Sequence, residues 1–144
     1  MLKRLAELER LSRRLDPGPD IRKDLFKQAG TYSELFLDRL PESKTYTRDD
    51  GRNGFDASPI TEAPAPMSEL LEFFQREVDT TGILPASGGQ LGYIPGGGLY
   101  PSALGDFLAD ISNRYSGVAF AGPGAARMEH YLVDWMCRLV DYPE

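Results

Sequence analysis

Apolar positions recur along this chain at spacings of three and four, and they predict helices joined by long irregular connections. Leu2, Leu5, Leu8, Leu11 and Leu15 form a leucine stripe between Lys, Arg and Glu, predicting a first helix from Leu2 to Leu15 that Pro17-Gly18-Pro19 ends. Asp20 is placed to cap a second helix, Ile21 to Leu40, striped by Ile21, Leu25, Ala29, Tyr32, Phe36 and Leu40. Gly30 weakens its middle and Pro41 stops it. Ser68 is the expected cap of a third helix, Glu69 to Thr80, whose broad apolar face is Leu70, Leu71, Phe73, Phe74 and Val78, with Gly82 just past its end. A fourth helix starts at Pro101 or Ser102, carries Leu104, Phe107, Leu108, Ile111 and Tyr115, and ends at Gly117. A fifth, Ala125 to Val140, has Met128, Leu132, Trp135, Met136 and Leu139 as its expected buried stripe. No alternating strand pattern stands out.

The 11 prolines and 15 glycines avoid these stripes and crowd into Asp16–Asp20, Gly51–Pro66 and Gly82–Pro101. The stretch Glu42–Pro66 reads as an extended connection with turns at Asp49–Gly54, and its Arg48-Asp49-Asp50 run as a solvated turn. Connections of this length are unusual inside a self-contained domain. The helices therefore need something to dock on, either a copy of this chain or a further segment. Alone they would leave apolar faces in water.

One connection differs from the rest. Leu91–Tyr100, LGYIPGGGLY, carries no charge, two tyrosines and three consecutive glycines, and feeds straight into the fourth helix. Surface linkers are usually polar. An apolar stretch stripped of side chains fits either a tight turn between helices or a pocket wall that a ligand or a second backbone approaches closely.

Composition narrows the chemistry. A net charge of −6 argues against a nucleic-acid or anionic-membrane partner, and no apolar run is long enough to span a bilayer. The N-terminus lacks the apolar core and cleavage site of a secretory signal, and the single cysteine, Cys137, precludes an internal disulfide, so the cytoplasm is the expected location. One histidine and one cysteine cannot build a His/Cys zinc site. No lysine follows Lys44, which excludes a phosphate-binding P-loop and a Schiff base near the apolar loop. His130, four residues before Asp134, reads as a hydrogen-bonded or surface histidine rather than a base, Cys137 as an inert core thiol, and Ser87 and Ser102 lack a base to activate them.

Three segments together resemble the N-terminal part of the pyridoxal-phosphate-dependent group II decarboxylases, which include the aromatic-L-amino-acid, tyrosine, histidine and glutamate decarboxylases. They are the loop Gly92-Tyr93-Ile94-Pro95, the helix Ser102–Ala109, and the turn and helix containing Glu129, Asp134-Trp135-Met136 and Tyr142-Pro143. The resemblance covers about Gly82 to Pro143. Two features depart from it: Ala86-Ser87-Gly88-Gly89 stands where the family often has a His-Pro pair, and Ala126-Arg127 where Thr-Glu is usual. These leave the substrate open.

The resemblance implies a mainly α, extended N-terminal segment of a fold-type I pyridoxal-phosphate enzyme, without the large α/β cofactor domain. It implies two regions: 1–66, dimer-crossing helices and connection, and 67–144, a helix, the pocket loop and two helices leading toward the cofactor domain. Family members are intertwined dimers, so the expected partners are a second copy or a complementary chain carrying the cofactor domain, with an amino acid as substrate. Tyr93, Ile94, Pro95 and Gly96 would flank the substrate. Pyridoxal phosphate, the electron sink for decarboxylation in the complete enzyme, would be held by downstream residues, its Schiff-base lysine among them, so this chain alone would be an inactive fragment of a lyase without catalytic, cofactor or metal residues. The alternative is a non-catalytic helical dimerisation or interaction protein.

Overall fold

The structure, a computed structural model, describes residues 1–143 apart from Arg14, Arg52, Asn53, Pro59, Pro95 and the side chain of Ala57. The chain is mostly helical, as its periodicity predicts, and divides into two units, Met1–Gly97 and Gly98–Glu144.

The first unit opens with α1 (Leu2–Ser12), which stops short of the predicted Leu15. Its ion pairs, Arg4 with Glu7 at 2.9 Å and Arg13 with Glu9 at 2.8 Å, are exposed and screened by water, so they add little to stability. The long helix α2 (Pro19–Arg39) begins before the predicted cap. Gly18 takes the capping position, Pro19 fills the first helical site, where no N–H is needed, and Asp20 falls inside the first turn, where its charge suits the helix dipole. Gly30 does not break the helix. Pro41 converts its end to a 3-10 turn, Leu40–Glu42.

The connection that follows holds a strand the alternation could not reveal. Strand β1 (Tyr46–Thr47) pairs antiparallel with β2 (Gly82–Ile83), Tyr46 opposite Ile83 and Thr47 opposite Gly82. Two residues are too few to show a period. Gly82 has a φ of 81°, a left-handed conformation that glycine adopts without strain. Next to the pair, the Leu84 N–H donates to the Thr45 carbonyl at 2.8 Å. Of the turns expected over Asp49–Gly54, Arg52 and Asn53 lie outside the described residues, and the Gly51 N–H donates to Asp49 Oδ1 at 2.9 Å.

A short helix α3 (Gly54–Ala57) sets Phe55 edge-on against Phe73, ring centres 4.9 Å apart. Helix α4 (Met67–Phe74) starts one residue ahead of the predicted cap Ser68, behind Pro66, and Ser68 makes no capping bond. Its expected last turn and a half is wider than an α-helix: Gln75–Asp79 form a π-helical tail. Such tails are rare and have no local sequence signature. This one presents Asp79 to α2 and Glu77 to α3. Helix α4 packs on α2, with Phe74 and Tyr32 meeting edge-to-face at 6.2 Å.

The second unit contains α5 (Tyr100–Ser112) and α6 (Pro123–Leu139). Helix α5 ends at Asn113 rather than Gly117: Asn113 is left-handed (φ 40°, ψ 49°) and its N–H closes on the Ala109 carbonyl at 2.8 Å. Asparagine tolerates that conformation, so it ends the helix first and leaves Tyr115 outside. Helix α6 begins two residues earlier than expected because Pro123 is accepted at a first helical position.

No hydrophobic residue among those described is buried. The expected buried stripe of α6 lies in the open, with Trp135 49% and Leu139 67% exposed. The chain exposes 12769 Å² of surface. A compact monomer of its mass would expose ~7,400 Å², and two separate compact units of these sizes roughly 8,800 Å². Apolar periodicity names the face a helix can bury; it does not supply the partner.

Candidate functional site

The apolar loop Leu91–Tyr100 runs from the first unit, which ends at Gly97, into the start of the second. Tyr93 has a φ of 67°, uncommon for a residue with a side chain and costly without support. One support is visible: the Gln90 side-chain amide donates to the Gly92 carbonyl, one residue before Tyr93. Of the three consecutive glycines, Gly97 is the one whose missing side chain matters locally, since a Cβ there would sit 3.0 Å from Ala86 Cα. Tyr93 and Ile94 are 82% and 101% exposed, and Gly96 is exposed too. Pro95 lies outside the described residues.

The side chains brought together most tightly lie elsewhere. The Tyr32 hydroxyl, on α2, donates to Asp79 Oδ2 on the π-helical tail, and Arg39 Nη2 lies 3.6 Å from the same oxygen. Arg39 also rests over the Phe36 ring, its guanidinium carbon 5.2 Å from the centroid. Burial, reinforced by the bond to Asp79 and its negative charge, pushes the Tyr32 hydroxyl up to about 12, against a small opposing effect of Arg39. The folded state therefore holds this proton more tightly than the unfolded chain, whose tyrosines ionise near ~10. The stabilisation is complete below about pH 10 and is lost as pH rises from about 10 to 12. Tyr32→Phe is expected to remove the highest-pH component of the tyrosinate absorbance titration, and with it that alkaline loss of stability. An unchanged titration curve would show that Tyr32 is not the late-ionising group.

A second cluster ties α3 to the same tail. Glu77 Oε2 accepts the Gly54 N–H at 3.0 Å, and Arg76 Nε donates to Glu77 Oε1 at 2.6 Å. Beside the first cluster is a cleft of about 270 Å³, lined by Arg39, Ser43, Lys44, Thr47 and Thr80, with Leu84 as an apolar wall. Arg39, Lys44 and Asp79 are not among the residues that the sequence pattern singles out. The two cations do flank Pro41 at the end of α2, but nothing local in the sequence points to Asp79.

The other sequence candidates are simpler. His130 is exposed on α6 and makes no bond to Asp134. Cys137 is half-buried rather than a core thiol, because there is no core around α6 to enclose it. Ser87 is the buried polar residue, and its hydroxyl donates to Thr45 Oγ1 at 3.0 Å, with no base beside it. No group of potential metal ligands occurs among the described residues, and no helix there is long and apolar enough to cross a membrane. Lys3, Lys23, Lys27 and Lys44, the chain's lysines, are all exposed. A Schiff-base lysine has to stand in an enclosed site, so the residues present do not fit a pyridoxal phosphate site.

Over 117 residues the chain is 30% identical to an aromatic-L-amino-acid decarboxylase of Bacillus atrophaeus. The chain is related to a decarboxylase. The matched stretch covers 77% of this chain and 24% of that protein, so the chain spans about a quarter of the length of the curated relative it matches. No family model and no solved structure matches it.

Proposed function

We propose that this chain is the dimerisation and substrate-pocket part of a pyridoxal-phosphate-dependent group II amino-acid decarboxylase, inactive by itself and completed by a region that carries the cofactor. The observation that carries the reading is the relationship to a decarboxylase over most of this chain but only a quarter of the relative. The bare apolar faces of α5 and α6 support it, since a segment that belongs inside a larger assembly leaves such faces open when alone. On this reading Tyr93, Ile94, Pro95 and Gly96 form one wall of the substrate pocket. The exposed loop that holds them would be covered in the assembly, which forms in the cytoplasm as a dimer of this chain or with a complementary chain.

The test is to express the chain joined to, or together with, a cofactor-bearing decarboxylase region encoded beside it, and to assay carbon dioxide release from L-amino acids with added pyridoxal phosphate. Release from the combination and none from the chain alone is the expected result. No release from any amino acid, or a Schiff-base absorbance band from the chain alone, would sink the proposal. A non-catalytic helical interaction protein is the second reading. It draws on the same exposed faces, and it gains if no such region is encoded nearby.

A further inference from the structure

We propose that the cleft beside the β1–β2 pair binds a small oxyanion, a phosphoryl group or a carboxylate. The first reason is that its cations are arranged rather than merely present. Arg39 is held from two sides, by Asp79 at 3.6 Å and by the Phe36 ring beneath it, and its side chain is 32% exposed. A guanidinium carries five N–H donors, and one loose contact at that distance leaves most of them to spare. These two contacts restrict its position before a ligand arrives, so less rotamer entropy remains to be lost.

Lys44 supplies the second charge. It lines the same cleft and pairs with no carboxylate among the described residues. Thr47, on β1, adds a hydroxyl that makes no hydrogen bond among them. The other two hydroxyls are committed: Ser43 donates to the Arg39 carbonyl at 2.8 Å and Thr80 to the Arg76 carbonyl at 2.7 Å. Their oxygens cannot donate a second proton, but they keep the wall polar.

Charge decides the sign of the ligand. Asp79 also lines the cleft, but its carboxylate is occupied by Tyr32 and Arg39. With two cations and one anion the cleft keeps a net positive charge on a chain whose own net charge is −6. A positive concavity on an acidic protein stands out against the surrounding field and draws in small anions. Its volume of about 270 Å³ is at the small end for a ligand site, which suits a phosphate monoester or a short carboxylate rather than a nucleotide.

The test is calorimetric titration of the full chain with inorganic phosphate and, separately, with acetate. Saturable binding of at least one in the millimolar range or tighter is expected. Tighter phosphate binding would identify a phosphoryl group as the ligand, and equal or tighter acetate binding a carboxylate. Lys44→Gln, at an exposed position that leaves the fold alone, should weaken binding by about tenfold, the scale of one charge-assisted hydrogen bond. Lys27→Gln, on α2 away from the cleft, should change nothing. No saturation with either anion up to about 10 mM, or an equal loss in both variants, overturns the proposal. Neither result bears on the decarboxylase reading, which the carbon dioxide assay decides.

Discussion

At micromolar concentration the chain is expected to sediment as an associated species of at least twice its 16.0 kDa mass, and Trp135→Ala is expected to shift it toward the monomer. The exposed surface exceeds that of two compact units of the same sizes by roughly 4,000 Å². That excess is the amount an obligate interface buries, about 2,000–5,000 Å² in total. Large apolar side chains in helical rows stand exposed on that surface. On α6 these are Met128, Leu132, Trp135, Met136 and Leu139. Tryptophan is enriched among the residues that dominate interface energetics, and truncating such an anchor commonly costs about 2 kcal/mol or more. That is roughly a thirtyfold weaker association. Sedimentation velocity across a concentration series reads the effect directly. A monomer at every concentration, or a polydisperse aggregate indifferent to the Trp135 change, would refute the expectation.

Asp79→Ala should have the largest effect on the first unit itself. Asp79 accepts from Tyr32 and faces Arg39, with its side chain 16% exposed. Removing the carboxylate leaves the Tyr32 hydroxyl without its acceptor and the Arg39 guanidinium without its counter-ion in a half-buried setting, a loss of about 1–3 kcal/mol. The α2–α4 contact has little else to offset it, since its aromatic pair stands at 6.2 Å and no apolar residue is buried nearby. A urea unfolding curve followed by helical circular dichroism should move to a lower midpoint. The late tyrosine ionisation should fall part of the way back, because burial, its largest cause, remains. An unchanged midpoint would mean the pair forms no part of the folded state's stability.

Helix positions were legible because they depend on local chemistry: leucine rows, and Pro101 in a first turn. Helix ends were less so. Asn113 and Gly117 both qualify as left-handed terminators, and spacing cannot say which comes into play first. The π-helical tail and the two-residue strands leave no periodic trace, yet they bring Asp79 to Tyr32 and Thr47 to Gly82. The cleft lined by Arg39, Lys44 and Thr47 was therefore invisible in the sequence, being made by joins between distant segments. The apolar loop was visible as an oddity, and its exposed Tyr93 and Ile94 belong to a surface loop of this chain. The expected burial of the α6 stripe failed for a different reason: a stripe encodes affinity for a partner, and the partner's presence is not encoded in the stripe.

The bond between Tyr32 and Asp79 joins residues 47 apart in sequence. During synthesis α2 leaves the ribosome well before the tail that completes its polar contacts. At ordinary elongation rates the delay is roughly 2–10 s, far longer than a helix needs to form. Over that interval the nascent chain carries α2 without the carboxylate that the Tyr32 hydroxyl meets in the folded unit.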